Sequence, residues 1–265
     1  MSLDFEASSQ GFKFVVRSLA LSGPYRGFSL GMSKKRQKVL LAWSGGKNSS
    51  ISLFELKSPD YSIEGIVSFV RESDKKLLNH DYDETLVDAQ AKSLEMNLYK
   101  IYIPSDDQEA FETSFHLKMK ELKSSFGIEA LAFGDVYTSE ARLYREKLLK
   151  KNGMEAIFPI WGWKAEFVNQ AFFGMSHQAI VYAIAKKLPP AFLGRNLNQS
   201  FVDDLPPSAN PAGLNGEFQA FVYEGPFFQW KVPFRMGDER KQIGNMLVLD
   251  LELNEELVAG HNRVN

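Results

Sequence analysis

The chain has 265 residues, 31 Lys and Arg against 33 Asp and Glu, and a formal net charge of −2. With 44% hydrophobic and 24% charged residues it has an ordinary globular make-up, which excludes disordered, collagenous and coiled-coil chains. The near-neutral balance also argues against a phosphate-backbone grip on nucleic acid, and this length carries one large domain or two modest ones.

Cysteine is absent. Disulfides, tetrathiolate zinc and iron–sulfur sites are therefore excluded, and so are thiolate nucleophiles. Cys-dependent glutaminases, thiol proteases and persulfide sulfur carriers fall with them. No run of about 18 apolar residues reads as a membrane span. A cytoplasmic protein with no membrane partner is expected.

Residues 1–37 form an N-terminal extension, expected to be flexible. Past Glu6 it gathers Lys13, Arg17, Arg26, Lys34, Lys35 and Arg36 with no acidic residue. Its apolar piece FVVRSLAL is short and broken by Arg17, a poor signal peptide, and Asp4 and Glu6 count against an organelle transit peptide. An upstream start, with the functional chain beginning at Met32, is the favoured reading. Gly27-Phe28-Ser29-Leu30-Gly31 matches the G-x-S-x-G nucleophile elbow, but a loop-like SGPYRG precedes it and a basic tract follows, where that motif needs a strand and a helix.

From Lys38 onward, apolar strands alternate with amphipathic helices. VLLAW (39–43) predicts a buried strand and SSISLFELK (49–57) a helix stopped near Ser58-Pro59. Strands follow at 63–70, 99–104 and 128–135, with helices at 84–96, 108–126 and 139–153, the last ended by Gly153. Strands joined by crossover helices predict a parallel sheet with right-handed connections. After Phe158-Pro159 the rhythm changes: a helix and a strand within AEFVNQAFFGMSHQAIVYAIAKKL, a Pro/Asn/Gly loop at 206–216, then FQAFVYEG and FFQWKVPF as strands. The expected division is a nucleotide domain over 38–160, a smaller α+β substrate domain over 161–250, and a tail over 251–265.

The chemistry concentrates in Ser44-Gly45-Gly46-Lys47-Asn48-Ser49, between the first strand and the first helix. This is the carboxyl edge of a parallel sheet, where such folds bind ligands. Two glycines permit a tight turn and close approach, and the following helix offers free N–H groups with a positive dipole end. Lys47 adds a point charge; Ser44 and Ser49 add hydroxyls. The combination reads as a phosphate cradle. It is neither the Walker loop, since Asn48 follows Lys47, nor a G-x-G-x-x-G fingerprint.

Placed after VLLAW, this loop resembles the PP-loop (S-G-G-x-D-S) of the N-type ATP pyrophosphatases. Further motifs are similar to the diphthine–ammonia ligase branch over about 38–235: His80 before ETLVDAQAKSL, Phe133-Gly134-Asp135, Arg142-x-x-x-Glu146, Phe158-Pro159-Ile160-Trp161-Gly162, and Gly213-x-Asn215-Gly216-Glu217-Phe218 leading into FVYEGPFF. The resemblance implies a HUP-type, Rossmann-like ATP domain with a smaller C-terminal domain closing one side of the cleft. It also implies a reaction using ATP and Mg²⁺: a carboxylate is adenylated with loss of pyrophosphate, and ammonia then displaces AMP. In founding members the carboxylate is diphthine on elongation factor 2. Several positions depart from the family pattern: Asn48 replaces Asp, and Asn210, Leu214, Gln219 and Ala220 replace Asp, Glu, His and Thr. A neutral amide at 48 offers Mg²⁺ no anionic oxygen.

On this resemblance the cofactor-binding residues are Ser44, Gly45, Gly46, Lys47, Asn48, Ser49, Ser68, Phe69, Gly134 and Asp135. Lys47 and the loop amides hold the β- and γ-phosphates, and the backbone around Ser68 and Phe69 meets adenine. Asp135 either binds Mg²⁺, orients ribose, or caps the following helix. Arg142 and Glu146 form either a substrate clamp or a plain i,i+4 pair. Asn215, Gly216 and Glu217 make a tight turn on the substrate side, with Glu217 either attracting ammonium or metal, or merely solvated. Lys47, Asp135 and Glu217 are the catalytic candidates. His80 reads as a surface histidine without a partner, His116, His177 and His261 are too dispersed for a metal cluster, and Trp161 and Trp163 read as seam aromatics. The expected function is an amide-forming ligase using free ammonia; the alternative is a noncatalytic adenine-nucleotide binder. tRNA thiolation is disfavoured by the missing Cys and the lack of a basic stripe.

Overall fold

A computed structural model describes residues 35–257; the Gly27–Gly31 pattern, Met32 and His261 lie outside the described residues. Five strands form the first sheet: β1 (Gln37–Ala42), β2 (Tyr61–Arg71), β3 (Leu98–Ile103), β4 (Ala130–Ala132) and β5 (Glu155–Ile157). Their order is β3-β2-β1-β4-β5 and every neighbouring pair is parallel. The crossovers are α1 (Lys47–Leu56), α2 (Glu84–Ser93), α3 (Gln108–Phe126) and α4 (Ser139–Lys150).

β1 carries almost unbroken apolar sequence because both faces of the sheet are covered. Val39 and Leu41 pack with Leu53 and Leu56 of α1 and Leu86 and Val87 of α2. Leu40 turns the other way, onto Phe115, Met119 and Leu122 of α3 and Leu148 and Leu149 of α4. Strand order reverses at β1, between β2 on one side and β4 on the other. The crevice at the carboxyl ends of β1 and β4 is therefore the topological switch point, where doubly wound sheets bind ligands.

The remaining chain builds an antiparallel sheet in the order β7-β6-β9-β8. Its parts are α5 (Ala165–Gly174), β6 (Gln178–Ala185), a 3₁₀ turn at Pro190–Phe192, α6 (Gln199–Asp203), β7 (Phe218–Glu224), β8 (Phe234–Ile243) and β9 (Met246–Leu253). Phe172, Val181, Ile184, Phe201 and Phe218 fill its core, and Ile51 of α1 joins the same cluster. Tyr182, Phe221 and Val248 pack in turn with the α1 and α2 side of the parallel sheet.

Two local expectations are corrected, and one hairpin was not anticipated. FFQWKVPF is no strand: residues 227–233 hold no ladder. Pro226 and Pro233 cannot donate to one, and the backbone is strapped instead to the end of α2, where the Gln229 N–H donates to Ser93 O (2.7 Å) and the Trp230 N–H to Ser93 Oγ (3.1 Å). The helix predicted from residue 49 begins at Lys47, so Lys47 and Asn48 sit in its first turn. The β8–β9 hairpin lacks apolar alternation on its charged edge strand, and forms around a two-residue Gly244-Asn245 turn with Gly244 at φ +56°.

Candidate active site at the switch point

The loop leaving β1 is fixed by groups from elsewhere in the chain. Gly45 sits at φ +69°, and an added Cβ would collide with the Tyr82 hydroxyl and lie 2.6 Å from Gln90 Oε1. No other residue type fits that backbone without strain. Gln90, fully buried, accepts from Trp43 Nε1 (2.8 Å) and donates to Gly45 O (3.0 Å) and Val222 O (2.6 Å). Val222 N–H of β7 also donates to Gly45 O (2.9 Å), and Tyr82 Oη donates to Ser44 O. The loop is thereby tied to both sheets. Gly46 stands extended as the N-cap of α1 and gives no side-chain cap, so the first-turn N–H groups stay available to an anion.

A cavity of about 420 Å³ lies above this turn. Ser44, Asn48 and Ser49 line it from the loop, Phe133, Gly134 and Asp135 from the end of β4, and Phe69 from β2. Ser49 Oγ donates to Gly46 O (2.9 Å) and lies 3.4 Å from Ser44 Oγ. An added Cβ on Gly134 would come within 3.0 Å of the Asn48 backbone, so glycine lets β4 and α1 converge here. Phe69 stacks near Phe111 and Phe115, giving one apolar wall. Ser68 does not line the cavity; it is buried beneath it, with Oγ donating to Trp43 O (2.8 Å).

Asp135 is ion-paired with Arg145, whose guanidinium lies 4.4 Å above the Phe133 ring. Burial pushes the Asp135 carboxyl up, and the adjacent guanidinium only partly offsets it; burial likewise lowers Arg145. Asp135 does not cap α4, whose N-cap is Thr138 without a side-chain hydrogen bond. Arg142 and Glu146 form the i,i+4 pair (2.8 Å), with Arg142 over Phe158 and Trp161 at 5.0 and 4.7 Å. Neither lines the cavity, and Trp163 stacks on Phe167 (4.5 Å).

The Asn210–Glu217 turn has its own internal logic. Glu217 is 1% exposed and accepts from the Asn210 N–H (3.1 Å) and Asn215 N–H (3.0 Å). Burial pushes its carboxyl up, but these amides outweigh it and the net shift is downward. The carboxylate is thus buried rather than solvated. Asn210 Oδ1 accepts from Ala212 N–H (2.9 Å) and Leu214 N–H (3.4 Å), so the neutral amide keeps the acceptor role that Asp would have. Asn215 Oδ1 accepts from Tyr137 Oη, and Gly216 takes φ +80°. Lys47 reaches this turn and not the cavity: its Nζ donates to Ala212 O (2.8 Å) and lies 3.5 Å from Asn169 Oδ1. Asn169 Nδ2 itself donates to Pro211 O (2.8 Å). Burial lowers the Lys47 ammonium to about 7.

Sequence reasoning missed Gln90, Arg145, Tyr82 and a relay around His80. His80 is half-buried and has a partner, Tyr182 Oη at 3.2 Å from Nδ1. Burial pushes its imidazole down to about 4, against a hydrogen bond to the Gln219 amide oxygen that favours the charged ring. Leu78, Asn79 and His80 form a wall shared with a second cavity of about 830 Å³. That cavity runs on past Arg71, Asp81 and Asp106 to Gln219 and the β8–β9 turn residues Ile243 and Met246. Among the described residues no group of three or more His, Asp and Glu could hold a metal ion, and no helix is long and apolar enough to cross a membrane.

Comparison with known proteins fits this geometry. The description "Diphthamide synthase N-terminal domain" matches residues 37–156, and "Diphthamide synthase C-terminal domain" matches residues 164–249. The chain is also similar to the tRNA-specific 2-thiouridylase MnmA of Buchnera aphidicola subsp. Schizaphis graminum, a PP-loop protein, at 33% identity over 72 residues. That match covers 26% of this chain and 20% of the relative, so the chain spans about a fifth of that protein's length.

Proposed function

The chain belongs to the diphthamide synthase family, within the PP-loop superfamily, and on that premise we propose that it is an ATP-dependent amide-forming ligase of the diphthine–ammonia type. A substrate carboxylate attacks the α-phosphorus of ATP, the α–β anhydride breaks and pyrophosphate leaves. Ammonia then adds to the acyl carbon, the bond to AMP breaks, and one proton is released. The observation that carries this reading is the pair of cavities on either side of the Leu78–His80 wall: one at the switch point, lined by Ser44, Asn48 and Ser49, for the triphosphate, and a wider one for the acceptor.

In this reading the α1 amides with Ser44, Asn48 and Ser49 grip the phosphates, and Phe69 gives adenine a flat apolar face. Lys47 and Glu217 act through the Asn210–Glu217 turn, which they hold against α1. Arg142 and Glu146 act as an i,i+4 pair that buttresses α4 against Phe158 and Trp161. Mg²⁺ enters with the nucleotide. Asp135 is the single carboxylate among the described residues lining the first cavity, its charge is met by Arg145, and Asn48 is neutral, so these residues form no Mg²⁺ site of their own.

The test is pyrophosphate release from Mg²⁺-ATP with ammonium and candidate carboxylates, diphthine-bearing elongation factor 2 among them. Release by the wild type is expected, and Asn48→Asp, which adds a carboxylate beside the phosphates, is expected to raise turnover about tenfold at limiting Mg²⁺. Nucleotide binding without release from either protein favours the second reading, a noncatalytic adenine-nucleotide binder, which the Asp135–Arg145 pair and the neutral Asn48 support. The tRNA thiolation named for the 2-thiouridylase has no sulfur carrier in a chain without Cys.

A further inference from the structure

Ammonia that adds to an acyl-adenylate must lose a proton before an amide is left, so the site needs a group that accepts an N–H. Of the carboxylates on the two cavities, Asp135 is committed to Arg145, Asp81 to Arg71 and Lys76, and Asp107 to Ser105 and the first turn of α3, while Asp106 lines the second cavity only. His80 lines both cavities. Its protonation pattern follows from its neighbours. Gln219 Nε2 donates to the Asn79 carbonyl (3.3 Å), so Gln219 Oε1 is the acceptor facing Tyr182. Tyr182 Oη, 2.6 Å from that oxygen, donates its one proton there. Its remaining lone pair can only accept, and the atom 3.2 Å away is His80 Nδ1, which therefore carries the ring proton. Turning the Gln219 amide over would set its oxygen against the Asn79 carbonyl. The neutral ring is left with a lone pair on Nε2. Burial favours that neutral ring, and keeps Tyr182 protonated as a donor.

We propose that His80 Nε2 is the base of the amide-forming step, taking the proton that ammonia loses, with the relay through Tyr182 to Gln219 fixing its tautomer. The assignment rests on the ligase reading and adds a residue to it. In balance, the new C–N bond forms, the C–O bond to AMP breaks with its electron pair leaving on the phosphate, and the proton passes from nitrogen to Nε2. The phosphate charge at the same wall stabilises the imidazolium that results. Gln219, standing where the family pattern has His, gives the relay a single polarity, because an amide has a fixed donor end and a fixed acceptor end.

His80→Asn is the sharp variant, since an Asn amide nitrogen still donates to Tyr182 from the Nδ1 position while nothing replaces Nε2. In full-length protein labelled with ¹⁵N-histidine, the His80 signals, assigned by their loss in this variant, are expected to show a protonated Nδ1 and a bare Nε2 at neutral pH. Gln219→Leu is expected to populate the other tautomer. An Nε2–H ring or an imidazolium in the wild type overturns the proposal. With Mg²⁺-ATP, ammonium chloride and diphthine-bearing elongation factor 2, His80→Asn is expected to slow amide formation by about 10²-fold, with first-turnover pyrophosphate release within about threefold of wild type. Equal slowing of both steps, or an unchanged amide rate, overturns the assignment. A wild type that binds ATP but releases no pyrophosphate overturns the ligase reading instead.

Discussion

Gln90→Leu is expected to destabilise the protein by about 2–6 kcal/mol and to weaken nucleotide binding about tenfold or more. The side chain is fully buried and satisfies three groups at once. Leucine matches its bulk but leaves Trp43 Nε1 and Val222 O without partners, and each orphaned buried group costs about 1–3 kcal/mol. Gly45 O is spared, because it keeps the Val222 N–H at 2.9 Å. The functional effect follows from the same bonds: Gly45 opens the phosphate turn, and its left-handed backbone is held where Tyr82 and Gln90 crowd it. Urea unfolding reads the stability loss and calorimetric titration with ATP reads the affinity. A loss below about 1 kcal/mol would mean that the two orphaned groups find new partners, and the buttress argument would fail.

The parallel sheet was legible because both of its faces are covered. Strands such as VLLAW then carry continuous apolar runs, and their crossover helices show clear periodicity. The phosphate turn was legible for a local reason, since Gly45 is demanded by its left-handed backbone and Gly46 lies where an added Cβ would crowd Ala220 O at 3.2 Å. What failed was non-local. Nothing in the heptapeptide around Gln90 says that its amide will meet Gly45 and Val222, which lie 45 and 132 residues away. Arg145 read as one basic residue of an amphipathic helix, and its pairing with Asp135 depends on how α4 folds back over the end of β4. FFQWKVPF misled because Phe227, Phe228 and Trp230 pack partly buried and Val232 fully buried outside any ladder, and only Phe234 joins one, as the first residue of β8. The β8–β9 hairpin was invisible for the opposite reason, being an edge strand defended by charge.

Lys47 gives the second large effect, and its sign is set by proton linkage. Burial lowers the folded-state value from 10.5 to about 7, so between those two values the unfolded chain holds a proton that the folded chain has released. Stability from this group is therefore lowest below about pH 7, rises through the window, and is complete above the unfolded value. Lys47→Met fills the same space without titrating. The stability of wild type relative to this variant is expected to climb by roughly 4 kcal/mol from about pH 7 to about pH 10, at about 1.4 kcal/mol per pH unit. Taking the difference cancels other alkaline groups distant from the site. Urea unfolding of both proteins across that range provides the measurement, and a flat difference would mean that the ammonium is solvated rather than enclosed by Ala212 and Asn169. The same variant separates two roles for the lysine. An ammonium on the phosphates would take about tenfold or more of ATP affinity with it when removed, as charge-assisted contacts do. An ammonium that holds the Ala212 carbonyl should leave ATP affinity within about threefold and loosen the Asn210–Glu217 turn instead, seen as faster amide hydrogen exchange there.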